Sequence, residues 1–227
     1  MIDDPLVNRN LPQEHPLLGC EESIRELIEC GQLFHSRGWS VGTSSNYSVV
    51  LNNDPVELIV TASGKDKGRL QLPDFVHVGS EGKPIEPDQP KSSAETMLHV
   101  VLAQQEEIGA ILHTHSIWGT LLSDYFFKDG GFEIAGFEML KGLEGIKTHD
   151  YSHWIPIFEN TQDIPALAAE VSERLQDPME SMTHGFLIRK HGLYTWGKDL
   201  FSARRHIEIY EFLFECIARK INFAENN

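Results

Sequence analysis

Apolar positions along this chain change period several times, and each change predicts an element. Ile24, Leu27, Ile28 and Phe34 recur at helical spacing, which predicts a helix over 20–37, ended by Gly38-Trp39. The runs YSVVL (47–51) and ELIVTA (57–62) flank the turn signal NNDP and predict a hairpin; FVHVG (75–79) predicts a third strand. Ser92 or Ser93 caps a helix running to about 105, and GAILHTH (109–115) reads as a buried strand followed by a short helix, SIWGTLLS. After a Gly-rich segment, FEMLKG (137–142) is a helical turn or a loop. WIPIF (154–158) predicts a strand, and DIPALAAEVSERLQ (163–176) an amphipathic helix with Pro165 in its first turn. GFLIRKHG (185–192) reads as another buried strand, and a long helix covers about 198–220. Residues 1–18 read as an N-terminal arm and 19–227 as one domain. Early hairpins followed by β–α alternation predict a single three-layer α/β/α domain around a mixed, largely antiparallel sheet.

Composition narrows the function. Of 227 residues 41% are hydrophobic, enough for a sizeable core, and no run of eighteen apolar residues exists to span a membrane. The start, MIDDPLVNRNLPQEHP, lacks the basic and apolar regions of a signal peptide. A net charge of −15 argues against nucleic acid, whose phosphates require clustered Lys and Arg. Three cysteines, Cys20, Cys30 and Cys216, make no disulfide framework and no CxxC pair; Cys30 and Cys216 are expected to be buried, inert thiols. A cytoplasmic, reducing setting is the expectation.

The first candidate chemistry is His-Thr-His at 113–115. Residues i and i+2 of a strand face the same side, so His113 and His115 project together. Alone, the pair fits a chelate and two unrelated surface histidines equally. His191 also follows an apolar run, FLIR, and three imidazoles with an open fourth position are a catalytic zinc pattern. Two carboxylates are candidates for proton transfer. Glu95 begins the helix before the metal strand, where it also fits as a first-turn acid on the helix dipole. Glu138 in FEMLKG, a mixed apolar stretch, is by pattern alone more simply read as a solvated acid on a small helix. His99, one turn after Glu95, is placed to brace it. The small-residue turns GTSSN (42–46), TASG (61–64) and KSS (91–93) offer N–H groups and hydroxyls to an anion.

In order, GTSSN, TASG, SSAE, HTHS and KHG resemble the class II aldolase/adducin family, over about residues 20–220. HTHSIWGTLLS, FEMLKGLEG, IPIFENTQDI and LIRKHGLYTWG, with Tyr194 and Trp196, are most similar to its dehydratase branch. The resemblance implies one Zn2+ on His113, His115 and His191, and Glu138 as acid/base. It implies a sugar-phosphate substrate held by Ser45, Asn46, Ser63, Gly64 and Ser93, with Lys67 matching a lysine after the SG turn. It also implies a homotetramer with sites near subunit interfaces. Two positions depart from the family pattern: Ala94 replaces a hydroxyl, and Ser45 stands where glycine is usual. A sugar-phosphate aldolase or epimerase with Glu95 as base is the alternative enzyme, and a metal-free adducin-like structural domain the non-enzymatic one.

Overall fold

The computed structural model describes residues 15–177 and 182–225. The chain runs α1 (Glu21–Ser36), β1 (Asn46–Asn53), β2 (Val56–Thr61), β3 (Phe75–Val78), α2 (Thr96–Ala103), β4 (Ala110–Thr114) and α3 (Ile117–Tyr125). It continues through β5 (Gly131–Ile134), β6 (His153–Phe158), α4 (Ile164–Gln176), β7 (Gly185–Ile188), β8 (Gly192–Gly197) and α5 (Leu200–Glu225). The strands form one eight-stranded sheet in the order β3-β2-β1-β4-β8-β7-β6-β5. Each neighbouring pair is antiparallel except β6–β7, which is parallel and joined through α4.

Two apolar clusters explain the layering. One packs α1, α3 and α5 against one face, with Leu27, Phe34, Leu122, Ile207 and Phe214 in its centre. The other packs α2 and α4 against the opposite face through Leu98, Leu102, Leu167 and Val171. Alternation along the strands feeds both clusters: Leu112 of β4 enters the first and Ile111 the second. The three-layer α/β/α fold and the mixed, largely antiparallel sheet are as the sequence predicts.

The structure corrects three local readings. GFLIRKHG is not one strand. β7 stops at Ile188, the chain turns through Arg189–His191 with Lys190 left-handed (φ 54°), and Gly192–Gly197 returns as β8. The short strand β5 lies within the Gly-rich segment, for which the sequence reading predicts no strand. Cys216 is only half-buried, whereas burial pushes the Cys30 thiol up to about 12. Of the expected arm, residues 1–14 lie outside the described residues, while Leu17 is buried in the core. No helix among the described residues is long and apolar enough to cross a membrane.

A group of buried histidines ties the 138–152 segment to the domain. His206 Nδ1 donates to the Trp196 carbonyl (2.7 Å), so its Nε2 accepts the Glu144 N–H (3.2 Å). His184 Nε2 donates to the Glu144 carbonyl (2.7 Å) and its Nδ1 accepts from Thr183 Oγ1 (2.8 Å). His153 bonds Tyr210 (2.7 Å). Burial pushes His206 down to about 4 and His153 down to about 3. Unfolding returns each to an ordinary value near 6.5, so the unfolded chain binds more protons below that pH. Their contribution is therefore complete above about pH 6.5 and is lost as pH falls towards the folded values. Each is expected to cost roughly 2 kcal/mol by pH 5. Urea unfolding should be flat above pH 7 and weaken steadily to pH 5, with a shallower slope in His206→Gln. An unchanged slope in that variant would refute the assignment.

Candidate metal and anion site

The three predicted histidines meet at one end of the sheet. Their ring nitrogens lie within 4.8 Å of one another, a group that could hold a metal ion. Ring centroids are 4.5 Å apart for His113–His115, 5.0 Å for His113–His191 and 4.5 Å for His115–His191. His113 is the penultimate residue of β4; His115 lies just past the strand, its N–H bonded to the Trp39 carbonyl (2.7 Å). His191 comes from the β7–β8 turn, where its carbonyl accepts from Thr120 Oγ1 (3.1 Å). The glycine after it is required by close approach: a Cβ on Gly192 would meet the Thr114 carbonyl oxygen at 2.0 Å.

The chemistry of the donors fits a divalent ion. His113 is fully buried and its Nδ1 donates to the Leu193 carbonyl (2.9 Å), which leaves Nε2 as an acceptor. That Nε2 is buried with no hydrogen-bond partner. A carbonyl bonded to the far ring nitrogen in this way fixes the tautomer of a metal-bound imidazole. Burial, then the neighbouring imidazoles, holds His113 well below the usual histidine range. His115 is pushed down to about 3, chiefly by burial and then by His191. Burial also lowers His191, against the opposing pull of Glu95. All three are therefore neutral at pH 7, the form that binds metal.

Glu95 reaches this cluster. Its Oε1 is 3.3 Å from His191 Nε2, and its Oε2 is 3.8 Å from His113 Nε2. Asn46 Nδ2 (2.9 Å) and Tyr194 OH (3.4 Å) both donate to Oε2. Tyr194 also stacks on His113 at 4.0 Å. His115, His191 and Glu95 open into a cleft of about 320 Å³. Ser45 and Asn46, Ser63 and Gly64, and Ser93 all line it, so the three small-residue turns converge on one space. Its far wall is Asn160, Thr161, Gln162 and Ile164, which the sequence reading does not place there. The segment IPIFENTQDI stands out only for its resemblance, and nothing local in it signals a cleft.

Two predicted residues do not join the cleft of their own chain. Glu138 lies on a 3-10 turn (Glu138–Gly142), is exposed, and pairs with Lys141 and with His149 (3.5 Å). The Lys141 bond, first, and His149 hold its carboxyl below the usual range, the opposite of what retention of a proton requires. Lys67 is buried and does not line the cleft; its Nζ donates to the Lys65 carbonyl (2.7 Å), while its charge helps to lower His115.

A sequence profile described as the class II aldolase and adducin N-terminal domain matches residues 25–218. The chain belongs to the class II aldolase and adducin family. A methylthioribulose-1-phosphate dehydratase of Marinobacter nauticus is 44% identical over 195 residues, covering 86% of this chain and 91% of that protein. One from Pseudomonas fluorescens is 44% identical over 197 residues, covering 86% and 92%. Among solved structures, the L-fuculose-1-phosphate aldolase from Thermus thermophilus superposes with a TM-score of 0.68 at 20% identity, covering 90% of this chain and 96% of that one. At that identity the last likeness shows the fold alone.

Ser45, where the family motif has glycine, adopts a left-handed backbone (φ 73°). That conformation costs a side-chain-bearing residue about 1–2 kcal/mol. Glycine's greater freedom in the unfolded chain offsets about 0.5–1 kcal/mol of the gain. Ser45→Gly should therefore stabilise the fold by about 0.5–1 kcal/mol in urea unfolding. A less stable variant would show that the serine side chain outweighs the strain.

Proposed function

We propose that this chain is a zinc-dependent methylthioribulose-1-phosphate dehydratase, converting 5-methylthioribulose 1-phosphate to 2,3-diketo-5-methylthiopentyl 1-phosphate and water in methionine salvage. It is an enzyme of the lyase class by its kinship to dehydratases across most of its length. The observation that carries the reading is the meeting of three histidines and Glu95 beside a cleft lined by three small-residue turns.

His113, His115 and His191 would hold a zinc ion, which when bound would supply a Lewis acid for the substrate carbonyl. The remaining steps belong to the chain. N–H groups and hydroxyls at Ser45, Ser63, Gly64 and Ser93 hold the phosphate and orient the sugar. Glu95, at the histidines, takes the C3 proton. Hydroxide is a poor leaving group, so the C4 oxygen must receive a proton as it departs. Resemblance assigns that proton to Glu138, which from its exposed position serves the cleft of a neighbouring copy in a homotetramer. An apolar stripe on α3, Ile117, Leu121 and Tyr125, exposed at 69%, 55% and 58%, supports such self-association. The acidic composition and sparse cysteines support a cytoplasmic setting.

The aldolase or epimerase reading keeps one observation in its favour: Glu95, not Glu138, is the carboxylate at the histidines. Purified protein is expected to release water from methylthioribulose 1-phosphate and leave fuculose 1-phosphate intact; the reverse selects the alternative.

Alanine at His113, His115 or His191 should remove zinc and activity together. Full zinc occupancy by elemental analysis in the triple variant would sink the assignment. Ser63→Ala and Ser93→Ala should each raise KM by roughly 10-fold or more through loss of a charge-assisted hydrogen bond worth about 1.5–3 kcal/mol. Unchanged KM would free these turns of the phosphate.

Glu138→Gln should lower kcat by about 100-fold with zinc retained. Mixing it with a zinc-deficient His113→Ala chain and reassembling hybrid oligomers should restore activity, since each copy then supplies what the other lacks. Hybrids no more active than their parents would refute action across the interface, and an unchanged kcat in Glu138→Gln would place Glu138 outside the chemistry.

A further inference from the structure

Glu95 is held by a line of buried side chains that begins at Ser48 of β1, beneath α2. Asn46 and Ser48, two residues apart on β1, face the same side of the sheet. α2 covers that side, and along it His99 follows Glu95 by one turn. The strand period and the helix period thus bring four residues into a row. Ser48 Oγ is 2.7 Å from His99 Nδ1. His99 Nε2 bonds Asn46 Oδ1, and Asn46 Nδ2 donates to Glu95 Oε2 at 2.9 Å. Ser48 and His99 are fully buried, and Asn46 is 4% exposed.

The end of the row fixes the direction of every bond in it. An ionised carboxylate only accepts, so Asn46 must turn its amide nitrogen to Glu95 and its oxygen to His99. The His99 hydrogen must then sit on Nε2, and Nδ1 must accept from the Ser48 hydroxyl. A flipped Asn46 would set two acceptors against each other at Glu95 and two donors against each other at His99. An imidazole between Leu98 and Val100, in an otherwise apolar helix, costs free energy unless both nitrogens are bonded. Packing alone would favour an aliphatic side chain there.

We propose that His99 is a positioning residue for Glu95, acting through Asn46, and that the Asn46 amide serves this carboxylate rather than the substrate phosphate. The inference rests on reading the cleft as the reaction site. The row anchors Oε2, with Tyr194 as its second donor, and leaves Oε1 beside His191 to meet the substrate. Asn46 lines the cleft, but both ends of its amide are engaged before any ligand enters.

Two measurements test this. The first needs no substrate: 15N shifts of the His99 ring in the wild-type protein should report a neutral imidazole with the hydrogen on Nε2. A hydrogen on Nδ1 would overturn the proposal whether or not the enzyme dehydrates methylthioribulose 1-phosphate. The second is kinetic. His99→Phe should lower kcat by about 10- to 100-fold, as for a misplaced catalytic group, with KM unchanged. His99→Gln, which keeps a donor at the position of Nε2, should retain most of kcat. Asn46→Ala should behave like His99→Phe. In a Glu95→Gln background, His99→Phe should cost less than about 2-fold more, because residues acting as one unit are not additive. Equal losses in both backgrounds, or a raised KM with normal kcat in Asn46→Ala, would overturn the proposal. If His99→Phe does not fold, the glutamine variant and the ring shifts decide. Absence of dehydration in the wild type would instead strike the proposed function and leave the Nε2–H expectation standing.

Discussion

The bond from His113 Nδ1 to the Leu193 carbonyl is the constraint around which the site is arranged. It joins β4 to β8 through a side chain and orients the ring. It also decides which nitrogen keeps a lone pair, and leaves that nitrogen buried without a partner. A buried acceptor of this kind is costly unless something binds it. His115 and His191 complete the arrangement from just beyond β4 and from the β7–β8 turn. The stack of Tyr194 on His113 and the close approach at Gly192 keep these elements in register. The sheet thus gathers a set of donors that could hold a metal ion.

Neutral groups held in fixed tautomers serve at this cluster and again at the opposite ends of β7 and β8. Towards α2, His99 and Asn46 orient Glu95 without adding charge beside the histidines. Towards α5, His184 and His206 grip the amide and carbonyl of Glu144, while its carboxylate pairs with Lys198 (3.0 Å). Each imidazole donates with one nitrogen and accepts with the other. That dual use suits histidine to span buried backbone groups that a lysine or a carboxylate would satisfy only from one side.

Much of this is legible in the chain because the two periods of regular structure are simple. Apolar spacing locates all five helices, and the i, i+2 rule puts His113 and His115 together. The turn between β7 and β8 escapes because RKH interrupts two apolar runs without a strong turn dipeptide, and Lys190 takes the left-handed conformation that glycine usually marks. Strand β5 escapes because its GFEI lies among Gly130, Gly131 and Gly136, which mask so short a run. Spacing alone places His99 to brace Glu95. The intervening Asn46 is invisible in the sequence because it depends on which strand lies under α2. Glu138 is assigned by likeness alone, and likeness carries no information about which copy of a chain a side chain serves.

The single parallel pair in the sheet divides responsibility for the cleft. The antiparallel strands β1, β4, β7 and β8, with α2, bring the histidines, Glu95 and the GTSSN turn, and they are locked to one another by ladder bonds. The wall at 160–164 arrives separately, on the crossover that leaves β6 and enters α4. A crossover loop tolerates changes of length and side chain that a central strand does not. Residues there can be exchanged without moving a ring nitrogen, so the shape of what enters the cleft can drift while the reacting groups stay fixed. The parallel junction is where one scaffold could diverge in substrate without reinventing its chemistry.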